Sequence, residues 1–241
     1  MVIVCGVLTG LNKGAFRDCT MLGEVQLGTT LTSMEAYAFA NCSALQKFNS
    51  QIKGQFIIPD TVTSIGTGAF KGCNAITDIT LPFVGNKIDS SKTFGYIFGA
   101  GGSGSKTSGD GSTYQNGNHY YIPQSIRKVT ITMQTVIPYN AFYNCDLIEE
   151  INIPSNATSI VSYAFYECNA LSRLNSNTDG TFNIPSGVTE IQERSFYNNK
   201  LLKTLNVGDI STIGEYAFSG CSMLEKFETQ TLKTIKESAF V

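Results

Sequence analysis

Histidine is almost missing from this chain: His119 is the only one. That excludes a metal site built on two histidines and leaves no spare imidazole base for a Cys or Ser nucleophile. The residue itself reads as an exposed loop position beside Tyr120. Charge is scarce too, at 15% of residues with a formal net of -2, where an average domain carries roughly 25%. Without a basic excess there is no electrostatic case for nucleic acid or an anionic membrane. No apolar run approaches the roughly 18 residues of a spanning helix. The apolar start over residues 1–8 lacks a basic n-region and a small-residue cleavage site, so it does not read as a signal peptide.

What the sequence does have is a word repeated at fixed spacing. Ala-Phe occurs at Ala15-Phe16, Ala38-Phe39, Ala69-Phe70, Ala141-Phe142, Ala164-Phe165, Ala217-Phe218 and Ala239-Phe240, with Ser195-Phe196 as a variant. Three residues after the Phe comes Cys19, Cys42, Cys73, Cys145, Cys168 or Cys221, with Asn199 as the exception. Three further on stands an aliphatic: Leu22, Leu45, Ile76, Ile148, Leu171, Leu202 and Leu224. Steps between successive pairs are 23, 31, 72, 23, 31, 22 and 22 residues. A period of this length signals a solenoid in which each coil buries one face against its neighbours.

Ala15, Ala38 and Ala69 map onto Ala141, Ala164 and Ser195 with one offset of 126, and the match continues between them from Asn49-Ser50 to Asn175-Ser176. A multi-coil block has been duplicated. The 31-residue coils carry an excursion over residues 50–56 and 176–182 whose Gly and polar residues predict a hairpin-like loop. Pairs such as Ile79/Leu81 and Ile151/Ile153 alternate with period two, as on one face of a strand, and Pro82 and Pro154 end those strands. A second short strand follows at Val62-Thr63-Ser64-Ile65 and Val188-Thr189-Glu190-Ile191, and Ala-Phe-x-x-Cys makes a tight helical turn back.

Six of the seven cysteines occupy one phase of the repeat, which predicts a reduced, buried ladder with Cys5 outside it. The long step of 72 holds a Gly/Ser-rich insertion, residues 83–121. Its centre, residues 99–112, is too poor in apolar residues to pack and predicts a mobile loop. Removing residues 101–117 is therefore expected to shift stability by less than about 1 kcal/mol. Phe94, Tyr96, Ile97 and Phe98 on one flank, and Tyr120, Tyr121 and Ile122 on the other, predict a base pinned against the coils.

The repeating unit Leu-x-x-Ile-x-Ile-Pro, Val-Thr-Ser-Ile-Gly and Ala-Phe-x-x-Cys resembles the BspA-type leucine-rich repeat family across nearly the whole chain. Departures are Asn199 for Cys, Ser195 for Ala, and Gly28 for Pro after Leu27. The expected fold is mainly β with short helical turns: a single right-handed leucine-rich-repeat solenoid of about eight coils over residues 1–241, with one long insertion. The chain stops mid-repeat at Ala239-Phe240-Val241, as a fragment of a longer protein does. The resemblance implies a cell-surface or extracellular protein used in adhesion, with extracellular-matrix or host-cell surface proteins as partners. The function expected is a non-catalytic protein-binding module of such an adhesin; the alternative is a structural spacer displaying another domain.

Motifs for chemistry fail on inspection. From Gly99 a phosphate-loop spacing is met at Gly104, but Ser105 stands where Lys is required. Gly101-Gly102-Ser103-Gly104 hints at calcium-binding glycine repeats, but Lys106 takes the Asp position and nothing iterates. Asn41-Cys42-Ser43 and Asn156-Ala157-Thr158 are sequons that matter only on a eukaryotic secretory route. Glu149-Glu150 reads as a solvated strand face rather than an acid/base pair. No catalytic, cofactor or metal residues are assigned, and no cofactor or membrane insertion is expected. The remaining candidates are charged strand residues that project outward: Lys47, Asp78, Glu150, Arg173, Lys203 and Glu225. They are expected to share one phase, between the first and second aliphatic positions of the strand. A mixed-sign face of this kind suits protein contact and equally suits an ordinary solvated surface.

Overall fold

The computed structural model describes residues 1–101 and 112–241. Two compact units divide the chain, Met1–Thr132 and Met133–Val241. Each is built from parallel strands one coil apart. In the first, Val2–Cys5, Glu24–Leu27, Lys47–Phe48, Gln55–Ile57, Asp78–Leu81 and Lys128–Ile131 form the long ladder, and Gly10–Leu11, Ser33–Met34 and Ser64–Ile65 a second one. In the second, the long ladder is Glu150–Asn152, Arg173–Leu174, Thr181–Asn183, Thr204–Asn206 and Lys226–Glu228. Its companion runs from Val136–Ile137 through Ser159–Ile160, Glu190–Ile191 and Thr212–Ile213 to Thr234–Ile235. This is the mainly β solenoid the repeat predicts, with about ten turns.

Except in the strands Val2–Cys5 and Lys226–Glu228, the inward residue of each long-ladder strand is apolar and buried: Val25, Phe48, Phe56, Ile79 and Val129 in one unit, Ile151, Leu174, Phe182 and Leu205 in the other. Behind them the repeat Phe residues stack ring on ring. Phe16–Phe39 and Phe39–Phe70 centroids lie 5.2 and 5.9 Å apart. In the second unit Phe142, Phe165, Phe196, Phe218 and Phe240 are spaced at 5.5, 5.3, 5.5 and 5.4 Å, with planes within 14° of parallel. Coils one strand spacing apart bring like residues to this distance, which is within the range of offset stacking.

Each Ala-Phe turn is hydrogen-bonded locally and to the next coil. Ala40 N donates to Tyr37 O and Cys42 N to Phe39 O, while Phe39 N reaches across to Ala69 O at 2.8 Å. The helical turn cannot propagate, because two residues per coil are left-handed. One precedes the Ala (Tyr37, Tyr163, Tyr216) and one lies two after the Phe (Asp18, Asn41, Asn144, Asn198). Except at Glu167, the second position carries the Asn, Asp or Gly that tolerate this region; the first mostly does not, and costs on the order of 1 kcal/mol per residue.

The cysteines are free, and five of the six in the ladder are buried; Cys19 is half-buried and Cys5 exposed. Four of the five buried thiols share one task. Cys42, Cys73, Cys168 and Cys221 donate Sγ–H to the carbonyl of the Phe one coil back (Phe16, Phe39, Phe142 and Phe196) at 3.0–3.2 Å. Asn199 takes the same task, Nδ2 donating to Phe165 O at 2.7 Å, which explains the one exception. Burial, with Cys19 adding to it, pushes the Cys42 thiol from 9.0 up to about 11, and burial pushes Cys221 up to about 12. The unfolded chain ionises these thiols above pH 9 while the folded chain keeps them protonated. Stability is thus fully present below pH 9 and is lost as pH rises toward 12. Denaturation midpoints taken from pH 8 to 11 should fall, and Cys42→Ala should flatten that fall.

Three expectations are corrected here. The excursions of the 31-residue coils are not hairpins: Phe48 pairs in parallel with Phe56, and Leu174 with Phe182. Asn49 and Asn175, both at φ 49°, turn the chain out of the ladder. The Asn175 Oδ1 accepts from Ile153 N at 2.8 Å and its Nδ2 donates to Asn183 O at 3.2 Å, pinning the returning strand. Second, the flank of the insertion is itself a coil turn. Phe70 N donates to Ile97 O at 2.9 Å, the bond that Phe39 makes to Ala69, so the 3-10 segment Phe94–Phe98 stands at the Ala-Phe phase. Third, part of the polar stretch is packed. Thr113–Gln115 and Asn118–Tyr120 form an antiparallel hairpin whose turn residues, Asn116 and Gly117, both have positive φ.

His119 is therefore buried, with Nδ1 3.0 Å from Ser112 Oγ and its ring edge-on to Tyr114. Gln115 is fully buried and accepts from Gly95 N at 2.9 Å. Residues 102–111, which hold most of the glycine motifs and Lys106, lie outside the described residues. Removing 101–117 takes Gln115 away and strands the Gly95 N–H, at about 1–3 kcal/mol, so the loss exceeds the small loop-closure effect. Gln115→Ala alone should reproduce that loss in a denaturant titration.

Candidate protein-binding faces

The outward column of the long ladder carries alternating charge. Register places Glu24 opposite Lys47 and Asp78 opposite Lys128 in the first unit, and Glu150 opposite Arg173 in the second. Lys47 Nζ lies 3.5 Å from Glu24 Oε2, and Arg173 Nε lies 3.3 Å from Glu150 Oε2. Arg173 also pairs with Asp179, which is the main reason its guanidinium is held still more firmly charged. Gln55 Nε2 reaches Asp78 Oδ2 at 3.5 Å. Cross-strand pairs of opposite sign contribute about 0.2–1 kcal/mol each.

Four of the six expected residues, Lys47, Asp78, Glu150 and Arg173, occupy that column. Lys203 and Glu225 do not. The register aligns Thr204 with Lys226, so Lys203 and Glu225 stand one residue earlier, aligned with each other through Glu225 N donating to Lys203 O. The difference is visible in the spacing: Lys203 and Glu225 lie seven residues after their Phe, the other four eight. A single-residue offset moves a side chain off the shared face.

A second surface lies on the turns of the second unit. Tyr143, Tyr166 and Tyr197 each follow a repeat Phe and stack at 4.6 and 4.8 Å with planes within 6° of parallel. Tyr163 meets Tyr139, Tyr143 and Tyr166 at 5.5–6.4 Å. The Arg194 guanidinium lies 4.6 Å over Tyr216 and 5.6 Å over Tyr163. Tyr163 Oη donates to Glu193 Oε1 at 3.0 Å, and Arg194 donates to both Tyr163 Oη and Glu193. Burial raises the Tyr163 and Tyr166 hydroxyls, with Glu167 adding to the rise at Tyr166, so both stay protonated and able to donate. All these rings are partly exposed. Sequence reasoning missed this array, although Phe-Tyr recurs in three successive turns.

The coil-to-coil register accounts for a wider likeness. The sequence matches the BspA type leucine rich repeat region in six copies, over residues 49–95 and 135–241. This chain belongs to the BspA-type leucine-rich repeat family. Among solved structures, a leucine-rich repeat protein from Bacteroides ovatus is similar at 23% identity and a TM-score of 0.55, covering 95% of this chain and 58% of that one. A leucine rich cell surface protein from Faecalibacterium prausnitzii aligns at 21% identity and TM-score 0.35, over 98% of this chain and 60% of that one. The T. pallidum leucine rich repeat protein aligns at 18% identity and TM-score 0.39, over 90% and 72%. This BspA-type chain thus spans less than two thirds of the first two proteins. No curated protein matches it.

Membership in this family suggests a protein-interaction module, and leucine-rich-repeat solenoids are typically non-catalytic. Among the described residues, no cluster of three His, Cys, Asp or Glu side chains is arranged to hold a metal ion, and no helix is long and apolar enough to cross a membrane.

Proposed function

We propose that this chain is a non-catalytic protein-binding module of a cell-surface or secreted adhesin, with extracellular-matrix or host-cell surface proteins as its partners. The observation that carries the reading is the tyrosine array with Arg194 on the turns of the second unit. Tyrosine and arginine are the side chains that most often anchor protein interfaces, because they supply large contact area with polar tips. The column charges Lys47, Asp78, Glu150 and Arg173, with Lys203 and Glu225 one residue off the column, are the second element of the proposal. Rim charges of this kind tune association rate and salt dependence more than affinity.

Immobilised matrix proteins and host-cell surface extracts test the two surfaces. Tyr143→Ser with Tyr197→Ser should weaken capture by about tenfold or more, as loss of an anchor does. Charge reversal of Glu150, Arg173 and Lys203 together should slow association and change its salt dependence without lowering the melting temperature, because the reversal keeps opposite signs across the partly buried Glu150–Arg173 pair. Capture unaffected by both sets of changes would remove these surfaces from the proposal. Failure of the unaltered chain to bind any of these proteins would favour a spacer that displays another domain.

A further inference from the structure

The second unit carries an open groove of about 850 Å³ lined by residues 176–178 of the excursion and by ladder residues Asn152 and Asn183. We propose that this groove is a binding site for a neutral oligosaccharide, separate from the tyrosine array. Its lining is unusual for what it omits. Asn152, Ser155, Asn177, Thr178, Asn183 and Ser186 supply carboxamides and hydroxyls, and none of the lining residues is charged. Ionic groups beside Asn152 are engaged with one another: Arg173 pairs with Glu150 and Asp179, and Glu150 also accepts from Asn152 Nδ2 at 2.8 Å. An ionic ligand would therefore find no counter-charge, whereas a sugar hydroxyl, donor and acceptor at once, matches amides and hydroxyls that are both as well. Ile153, Ile184 and Pro185 lie beneath these groups and are themselves buried, so the open surface of the groove is mainly amide and hydroxyl.

The amides are held in place before any ligand arrives. Asn183 Nδ2 donates to Asn175 O at 2.7 Å, and its Oδ1 accepts from Asn206 Nδ2 at 2.7 Å. Side chains fixed in this way lose little entropy on binding.

The duplicated block serves as an internal control. Asn175 is repeated as Asn49, which likewise takes the N–H of Leu27 at 2.6 Å and donates to Ile57 O at 3.2 Å; its role is to hold the coil. Ser176, Ile184 and Pro185 recur as Ser50, Ile58 and Pro59, but three of the polar groove residues do not recur. Thr178, Asn183 and Ser186 correspond to Ile52, Ile57 and Asp60 under the offset of 126. The same loop thus forms without them, so the coil does not require those polar groups. A peptide occupant is disfavoured because the lining has no aromatic or arginine anchor of the kind protein partners use.

The test is affinity electrophoresis of the full chain in gels containing mannan, galactan, β-glucan or soluble chitin oligomers, with heparin as an anionic probe and gelatin as a peptide probe. At least one neutral glycan should retard the protein. Thr178→Ile with Asn183→Ile and Ser186→Asp, which copies the first block, should weaken that retardation by about tenfold or more, each lost hydrogen bond contributing up to that factor. Its melting temperature should stay near that of the unaltered chain. If the triple variant does not fold, Ser155→Ala with Asn177→Ala changes only exposed side chains and should weaken binding in the same direction. Retardation by no neutral glycan, retardation that survives these substitutions, or groove-dependent binding to heparin or gelatin alone would each overturn the proposal.

Discussion

Phe165→Ala should destabilise the second unit by roughly 3–5 kcal/mol. The ring is fully buried and stacked on both faces, against Phe142 at 5.5 Å and Phe196 at 5.3 Å, so its removal opens a cavity that neither neighbour can fill without leaving its own coil. The backbone around it is equally committed: Phe165 N donates to Ser195 O, and its carbonyl accepts from Asn199. Because coils contact only their neighbours, hydrogen exchange should rise first in the coils on either side of the lost ring and later elsewhere. A denaturation midpoint equal to that of the unaltered chain would mean that the coil register described above is wrong.

Asn199 gives the second large effect, and its sign depends on what replaces it. Asn199→Ala removes the donor to the Phe165 carbonyl and leaves that oxygen buried, at about 1–3 kcal/mol. Asn199→Cys restores the Sγ–H donor that the other coils use, and it also removes an Oδ1 that is buried without a protein partner. The cysteine variant should therefore be at least as stable as the unaltered chain, and the alanine variant clearly less so, in paired urea titrations. Equal stability of the two variants would show that the coil does not need a donor at this phase.

The sequence by itself determined the period, the inward phases and the family. Phe at one phase, Cys three residues later and an aliphatic three beyond are local facts, and a solenoid needs little more because each coil repeats the same short-range geometry. The Asn, Asp and Gly two residues after most of the repeat Phe residues were equally readable, since few other residues accept a left-handed backbone cheaply; Glu167 is the exception.

The tertiary structure decided everything that depends on which residues meet between coils. A short polar excursion is ordinarily a hairpin, as parallel strands usually need a long crossover. Here Asn49 and Asn175 bond to the ladder on both sides, and the returning strand runs parallel. Phe94–Phe98 lacks the repeat word, and only the bond from Phe70 N to Ile97 O identifies it as a coil turn. The charged column needed the register to one residue, because side chains alternate faces and a slip of one removes Lys203 and Glu225 from it. The tyrosines and the asparagine groove follow the same rule. Phe-Tyr and Asn-Ser are ordinary pairs in a sequence, and they become a stacked array and a lined groove only when coils 22 to 31 residues apart in the chain lie side by side, one strand spacing from each other.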